Sequence, residues 1–329
     1  MIEARAVRIA GKGDVDVLSL DTLRVRDAGP WEIRVQVAAA GLNRADLLQR
    51  RGYYPAPPGV PADVPGLEYS GTVEQVGEEV REFAPGDAVM GIVGGGAMAT
   101  HLLVPAREVM RVPAGMPLTE AAAIPEVFLT AFDALFGQGR LAPGQTVLVH
   151  AIGSGVGTAA LQLGLLAGGR VVGTSRSQEK LTRCRELGLE AALLVDNNQF
   201  AAALFEQNGG RGSDVILDTI GASYLNENVK ALALGGRLVL VGLLGGASAE
   251  LPLSLLLGKR ASVIGTVLRS RPTEEKARLA QDFARDLLGH FERGKLKPVL
   301  DVVLPMREIR AAHQRMEQNQ NFGKIVLQW

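Results

Sequence analysis

Residues Thr146–Val147–Leu148–Val149–His150–Ala151–Ile152–Gly153–Ser154–Gly155–Val156–Gly157–Thr158–Ala159–Ala160 decide the fold. An apolar, β-branched run ends in a glycine-rich turn, and a helix of small residues follows. That order reads strand, phosphate loop, helix. Glycines let the backbone approach a pyrophosphate, and unpaired N–H groups at the helix start bind its charge. Ser154, Gly155, Val156 and Gly157 are the residues expected there. A second strand, Arg170–Val171–Val172–Gly173, completes the spacing of a nucleotide-binding unit. An acid about 20 residues past the glycines would accept hydrogen bonds from a ribose 2′-OH and favour NAD. This chain has Thr174–Ser175–Arg176–Ser177 instead, with Lys180 following. Arg176, Ser177 and Lys180 are therefore the candidates for a 2′-phosphate, and NADPH is the expected cofactor. The bland alternative is a tight turn and a solvated helix start.

Outward from this unit, strand and helix patterns alternate. Expected segments are 146–150, 155–167, 170–174, 178–187, 191–195, 198–208, 214–217, 222–233, 236–241 and 261–267. Such alternation predicts a doubly wound parallel sheet. Before it, short strands separated by Gly, Pro and Asp predict a small barrel or sandwich: Ala4–Ile9, Thr22–Val25, Glu32–Ala38, Gly71–Val76 and Asp87–Ile92. One helix interrupts them, with Asn43 as its cap, Arg44–Arg51 as its body and Gly52 as its stop. Thr119–Gly137 reads as helical, broken or kinked at Pro125. After the alternating region come a long amphipathic helix, Thr273–Arg293, and strands Asp301–Leu304 and Lys324–Leu327. The fold class is thus α/β, with a first domain over 1–122 and 268–329 and a Rossmann domain over 123–267.

Composition narrows the function. Lys+Arg and Asp+Glu both number 35 in 329 residues, so no basic excess drives nucleic-acid binding. The single cysteine, Cys184, excludes an intrachain disulfide and a cysteine-held zinc site. No uninterrupted apolar stretch reaches membrane-spanning length, and Met1–Ile2–Glu3–Ala4–Arg5 does not read as a signal peptide. A cytoplasmic protein with no membrane partner is expected.

Several stretches together resemble a known family. They are Asn43–Arg44–Ala45–Asp46–Leu47–Leu48–Gln49–Arg50–Arg51–Gly52 with Tyr54–Pro55, Pro65–Gly66–Leu67–Glu68, Gly86–Asp87–Ala88–Val89 and Ala121–Ala122–Ala123–Ile124–Pro125–Glu126. Leu129–Thr130–Ala131–Phe132, His150–Ala151, Thr266–Val267–Leu268–Arg269–Ser270–Arg271 and Gly323–Lys324–Ile325–Val326 complete the set. In this order they resemble the zinc-free quinone oxidoreductases of the medium-chain dehydrogenase/reductase superfamily, zeta-crystallin-like enzymes and the p53-inducible type among them. The resemblance implies that the first domain, 1–122 with 268–329, is a GroES-like barrel. Zinc enzymes of that superfamily carry Cys where this chain has Asn43 and His where it has Leu67. The resemblance thus implies no metal and a substrate that accepts hydride unaided, namely a quinone or similar electrophilic carbonyl. An enone, 2-alkenal or enoyl-thioester reductase is the nearest alternative. A nucleotide-sensing or RNA-binding role, as some zeta-crystallin-like proteins have, is the alternative of another class.

The resemblance also assigns roles. Asn43 and Thr130 line the nicotinamide end. Gly173, Gly242, Leu243, Leu244 and Leu268 lie beside the cofactor, and Lys324 reaches its phosphates. Tyr54 contacts substrate or donates a proton, or is a packed loop aromatic. Relatives often have a Tyr near the 2′-phosphate where this chain has Val195, and Arg176 compensates. His150 ends a buried strand and is read as structural. A homodimer is implied, with the apolar strand Ala261–Val267 as the pairing edge.

Overall fold

The computed structural model describes Met1–Trp329, and the chain divides into two compact units. The first comprises Met1–Leu129 with Leu268–Trp329; the second is Thr130–Val267. The division between Leu129 and Thr130 falls within the helix Pro125–Phe132.

In the first unit, β1 (Ile2–Ile9) and β2 (Leu18–Val25) form an antiparallel ribbon. β3 (Glu32–Leu42), β4 (Glu68–Val76), β5 (Ala88–Ile92), β6 (His101–Pro105) and β7 (Val109–Arg111) build a larger sheet. β14 (Leu300–Pro305) and β15 (Lys324–Gln328) return to complete it, in the order β14-β15-β3-β4-β5-β7, with β6 also on β3. The long β3 is the hub, because it pairs with β4, β6 and β15. Its inward Ile33, Val35 and Val37 pack with Val7, Leu18, Tyr69, Met98, Ile325 and Leu327. Bonds from Val7 N to Met98 O and from Thr100 N to Arg5 O fasten the ribbon to this sheet. β4 starts earlier than its alternation suggests, which makes Glu68 its first residue.

The second unit is a six-stranded parallel sheet. Its strands are β8 (Thr146–Val149), β9 (Arg170–Ser175), β10 (Ala191–Leu194), β11 (Ser213–Asp218), β12 (Leu232–Leu240) and β13 (Ser262–Gly265). The order β10-β9-β8-β11-β12-β13 reverses direction between β8 and β11, which opens a crevice at the carboxyl ends of those strands. The helix after β8 spans Gly155–Leu166, as its small residues predict.

Three local readings change. The expected helix Thr119–Gly137 divides into Leu118–Ala121, Pro125–Phe132 and a π-helical turn Asp133–Gln138. The break falls at Pro125 as expected: Pro125 opens the second helix at a position where a missing N–H costs nothing. The strand expected over 261–267 keeps only Ser262–Gly265, and it stands at the sheet edge. Helices Leu253–Lys259 and Ile309–Glu317 were not apparent from periodicity.

Candidate functional site

At the end of β8, Ala151 takes a left-handed conformation (φ 48°), which turns the chain sharply into the loop. Ser154 caps the helix, its Oγ accepting from Gly157 N at 3.0 Å. The N–H groups of Gly155 and Val156 have no partner, and both residues are partly exposed. Two free donors at a helix start are what a pyrophosphate requires. Gly157 serves a different purpose. It is buried, and a Cβ there would lie 2.5 Å from Ala151 O and Ile152 O. Gly173 is likewise a packing position, since a Cβ would meet Ile152 Cγ1 at 2.7 Å. Glycine there lets the loop sit against β9.

The strand ends beneath the loop are tied together. Asn228 Nδ2 donates to Asp218 Oδ2 (2.9 Å), which leaves Asn228 Oδ1 to accept from His150 Nε2 (2.6 Å). His150 Nδ1 then accepts from the Thr174 hydroxyl (2.8 Å). Burial holds this imidazole below its ordinary pKa, so it is neutral and structural. Asp218 also accepts from Ile220 N and Gly221 N. The ends of β8, β9 and β11 are thereby locked into one platform.

Arg176 stands exposed just beyond β9. Ser177 caps the helix Gln178–Glu186, its Oγ accepting from Lys180 N at 3.3 Å. The hydroxyl already has this structural duty. Gly242, Leu243 and Leu244 follow β12, with both leucines more than half exposed. Thr130 is partly exposed on its helix.

The first unit holds a second constellation, where the end of β3, the start of β4 and the start of β15 converge. Lys324 is 3% exposed and Glu68 fully buried. Lys324 Nζ donates to Leu42 O (2.7 Å) and Asn43 Oδ1 (2.7 Å), and pairs with Glu68 Oε1 (2.5 Å). Three N–H donors meet three acceptors, and none remains for a phosphate. The expected phosphate contact at Lys324 is therefore replaced by an internal one. Asn43 completes the group by donating from Nδ2 to Glu68 Oε1 at 2.9 Å. Asn43 is the N-cap of the helix Arg44–Arg50, and Asp46 at the third helical position reaches back to accept from Asn43 N (2.8 Å) and also from Gly66 N (2.9 Å). Gly41 makes room for all this: a Cβ there would lie 2.2 Å from Glu68 Oε1.

Around this core stand residues that carried no role in the sequence reading. Asp46 is fully buried, and desolvation raises its pKa to about 6 against the pull of its two backbone donors. Glu126 opens the Pro125–Phe132 helix, and its N–H donates to Glu68 Oε2 at 2.8 Å. Arg269 donates to Gly94 O (2.7 Å), Tyr54 O (3.0 Å) and Gln49 Oε1. Its guanidinium lies 4.8 Å from the Tyr54 ring centre, so Tyr54 is pinned and half-buried, with its pKa raised by burial. Leu268, one residue before Arg269, is buried. For Glu68 and Glu126 the one local signal is a lone charge among apolar and small residues, and nothing local joins either to Lys324.

Comparison with known proteins bears on both constellations. Residues 155–285 match the zinc-binding dehydrogenase family, and residues 29–114 match the alcohol dehydrogenase GroES-like domain. The chain is 31% identical over 310 residues to quinone oxidoreductase-like protein 2 homolog of Nematostella vectensis, covering 93% of this chain and 84% of that one. A solved NAD-dependent alcohol dehydrogenase superposes with a TM-score of 0.87 at 33% identity, over 99% of each chain. The CurK enoyl reductase superposes with a TM-score of 0.88 at 27% identity, again over 99% of each. The zinc in the first family's description does not fit the residues here. Asn43 and Leu67 offer neither thiolate nor imidazole, and the ammonium of Lys324 already bridges Asn43 and Glu68.

Proposed function

The chain belongs to the medium-chain dehydrogenase/reductase family, and on that premise we propose that it is an NADPH-dependent reductase of quinones or similarly electrophilic carbonyls, working without zinc. One observation carries the substrate class: the Asn43–Glu68–Lys324 group holds a cation of its own and presents no metal ligands. With no Lewis acid to polarise a plain ketone, the acceptor must take hydride readily by itself. When bound, the reduced nicotinamide supplies that hydride. The N–H groups of Gly155 and Val156 would hold its pyrophosphate, and exposed Arg176, with Lys180 beside it, would pair with a 2′-phosphate. Asn43, held on three sides, is a rigid wall for the reacting end rather than a flexible one.

The likeness to an enoyl reductase supports a second reading, hydride delivery to the β-carbon of an enone or enoyl thioester. Oxidation of NADPH and NADH against a panel of quinones and enones separates the two. We expect quinone turnover with NADPH preferred. The Arg176→Ala/Lys180→Ala double variant should weaken NADPH roughly 10- to 100-fold more than NADH, as lost charge-assisted hydrogen bonds require. Equal affinity of the native protein for both cofactors would refute the NADPH assignment.

A homodimer belongs to this reading. β13 is an edge strand, and Leu253, Leu257 and Val267 around it are 67%, 80% and 46% exposed. An uncovered apolar edge is stabilised by pairing with a second copy. Light scattering that finds only monomer at micromolar concentration would refute it.

A further inference from the structure

The polar group of the first unit contains one carboxyl that is not accounted for. Glu68 is paired with Lys324 and Asn43, and Asp46 with two backbone donors. Arg269 spends its guanidinium on Gly94, Tyr54 and Gln49. The Glu126 carboxyl has neither hydrogen bond nor ion pair, although its backbone N–H is bound to Glu68. It is also the carboxyl of the group that is partly open. On the helix Pro125–Phe132 only Glu126, Thr130 and Phe132 reach the surface, and Glu126 and Thr130 lie one turn apart on one stripe.

We propose that Glu126 is the catalytic acid of the reductase, delivering its carboxyl proton to the substrate oxygen as hydride arrives at the substrate. This rests on the functional reading above and deepens it. Hydride brings two electrons and leaves a developing oxyanion. A Glu126 carboxylate beside Glu68 would repel that charge, whereas the neutral acid donates to it. The O–H bond of Glu126 breaks, an O–H bond forms on the hydroquinone or enol oxygen, and the carboxylate regains a proton from water at its open face. Tyr54 is the weaker choice, since burial pushes its hydroxyl above the ordinary phenol range.

The surroundings keep the proton on Glu126. Glu68 of β4 and Asp46 of the Arg44–Arg50 helix face it as acids, and Lys324 of β15 and Arg269 as cations. Tyr54 also interacts with it. Lys324 neutralises Glu68 by direct contact but makes no such contact with Glu126. Desolvation, with Glu68 adding to it, raises Glu126 to about 8. The acid is therefore loaded at neutral pH and lost as pH rises through that value.

The test uses the full chain with Glu126→Gln and Glu126→Asp. Infrared titration of the protein without cofactor should show a protonated carboxyl band that disappears near pH 8 in the native protein and is absent in E126Q. With NADPH and a quinone that the native protein reduces, native kcat should fall above pH 8. E126Q should lose roughly 100-fold in kcat at pH 7 and lose that pH dependence, while NADPH affinity stays within a few fold. E126D should recover part of the rate and keep a displaced pH dependence, and it serves alone if E126Q fails to fold. An E126Q enzyme with native kcat and native pH profile overturns the proposal while leaving the reductase reading intact. A native protein that turns over no quinone and no enone overturns both.

Discussion

Replacing Lys324 with Met tests whether the converging strand ends depend on an internal cation. Met matches the length of the lysine stem, so packing is nearly kept, but all three ammonium contacts disappear. Glu68, fully buried, then keeps only Asn43 Nδ2 and Glu126 N as partners. Removing one member of a buried ion pair costs about 3–5 kcal/mol, because the other is left uncompensated. In a unit of roughly 190 residues, each kcal/mol lowers the unfolding midpoint by about 2–4 °C, so a fall of roughly 6–20 °C is expected. Adding Glu68→Gln should return about 2 kcal/mol, since the orphaned charge is gone and only one hydrogen bond of about 1 kcal/mol is lost with it. Urea unfolding of the native protein, both single variants and the double variant gives the coupling directly. A Lys324→Met cost below about 1 kcal/mol, or a double variant as unstable as the two single losses added, would refute the argument.

Three further outcomes concern Asp46 and the phosphate loop. Asp46 is raised to about 6 when folded, against about 3.9 unfolded. Its contribution is therefore fully present below pH 4 and lost as pH rises through 6, roughly 3 kcal/mol in all. Asp46→Asn should flatten stability over that window, measured by denaturant titration at several pH values; an unchanged pH profile would contradict it. At the phosphate loop, Gly157→Ala should lower stability, because its Cβ would meet two carbonyls at 2.5 Å. Gly155→Val should leave the melting temperature near native while abolishing NADPH binding. Near-native affinity of the folded Gly155→Val protein would mean that the phosphate site is misplaced.

The nucleotide fold was legible because each of its parts leaves a local trace. The β-branched run, the glycines and the small-residue helix sit within fifteen consecutive positions, Thr146–Ala160. Arg176 could be found by counting along the chain. The first unit's polar group leaves no such trace. Asn43, Glu68, Glu126, Arg269 and Lys324 come from five distant segments, and only strand pairing brings the β3, β4 and β15 residues together. Asn43 reads as a helix cap because its local sequence suits one, yet nothing local shows that Lys324, 281 positions away, binds its side chain. Lys324 reads as a phosphate contact because no neighbour in sequence shows that Leu42, Asn43 and Glu68 surround it. A buried ionic group is a tertiary fact, and single-sequence periodicity contains only local ones.

The return of the last strand to β3 has a consequence for how the chain matures. Thr130–Val267 is one continuous stretch and has all its own strands as soon as Val267 has been made. The first unit does not, because β15 closes its sheet and Lys324 stands at the start of β15. Throughout synthesis up to that point, Glu68 and Asn43 await a cation that the ribosome has not yet delivered. The nucleotide fold is thus free to form early, while the other sheet must wait for nearly the whole chain and for a very long loop to close. Assembly of the Asn43–Glu68–Lys324 group marks the last step of construction, and a chain that stalls before residue 324 would carry a finished nucleotide domain beside a sheet with no partner for its buried acid.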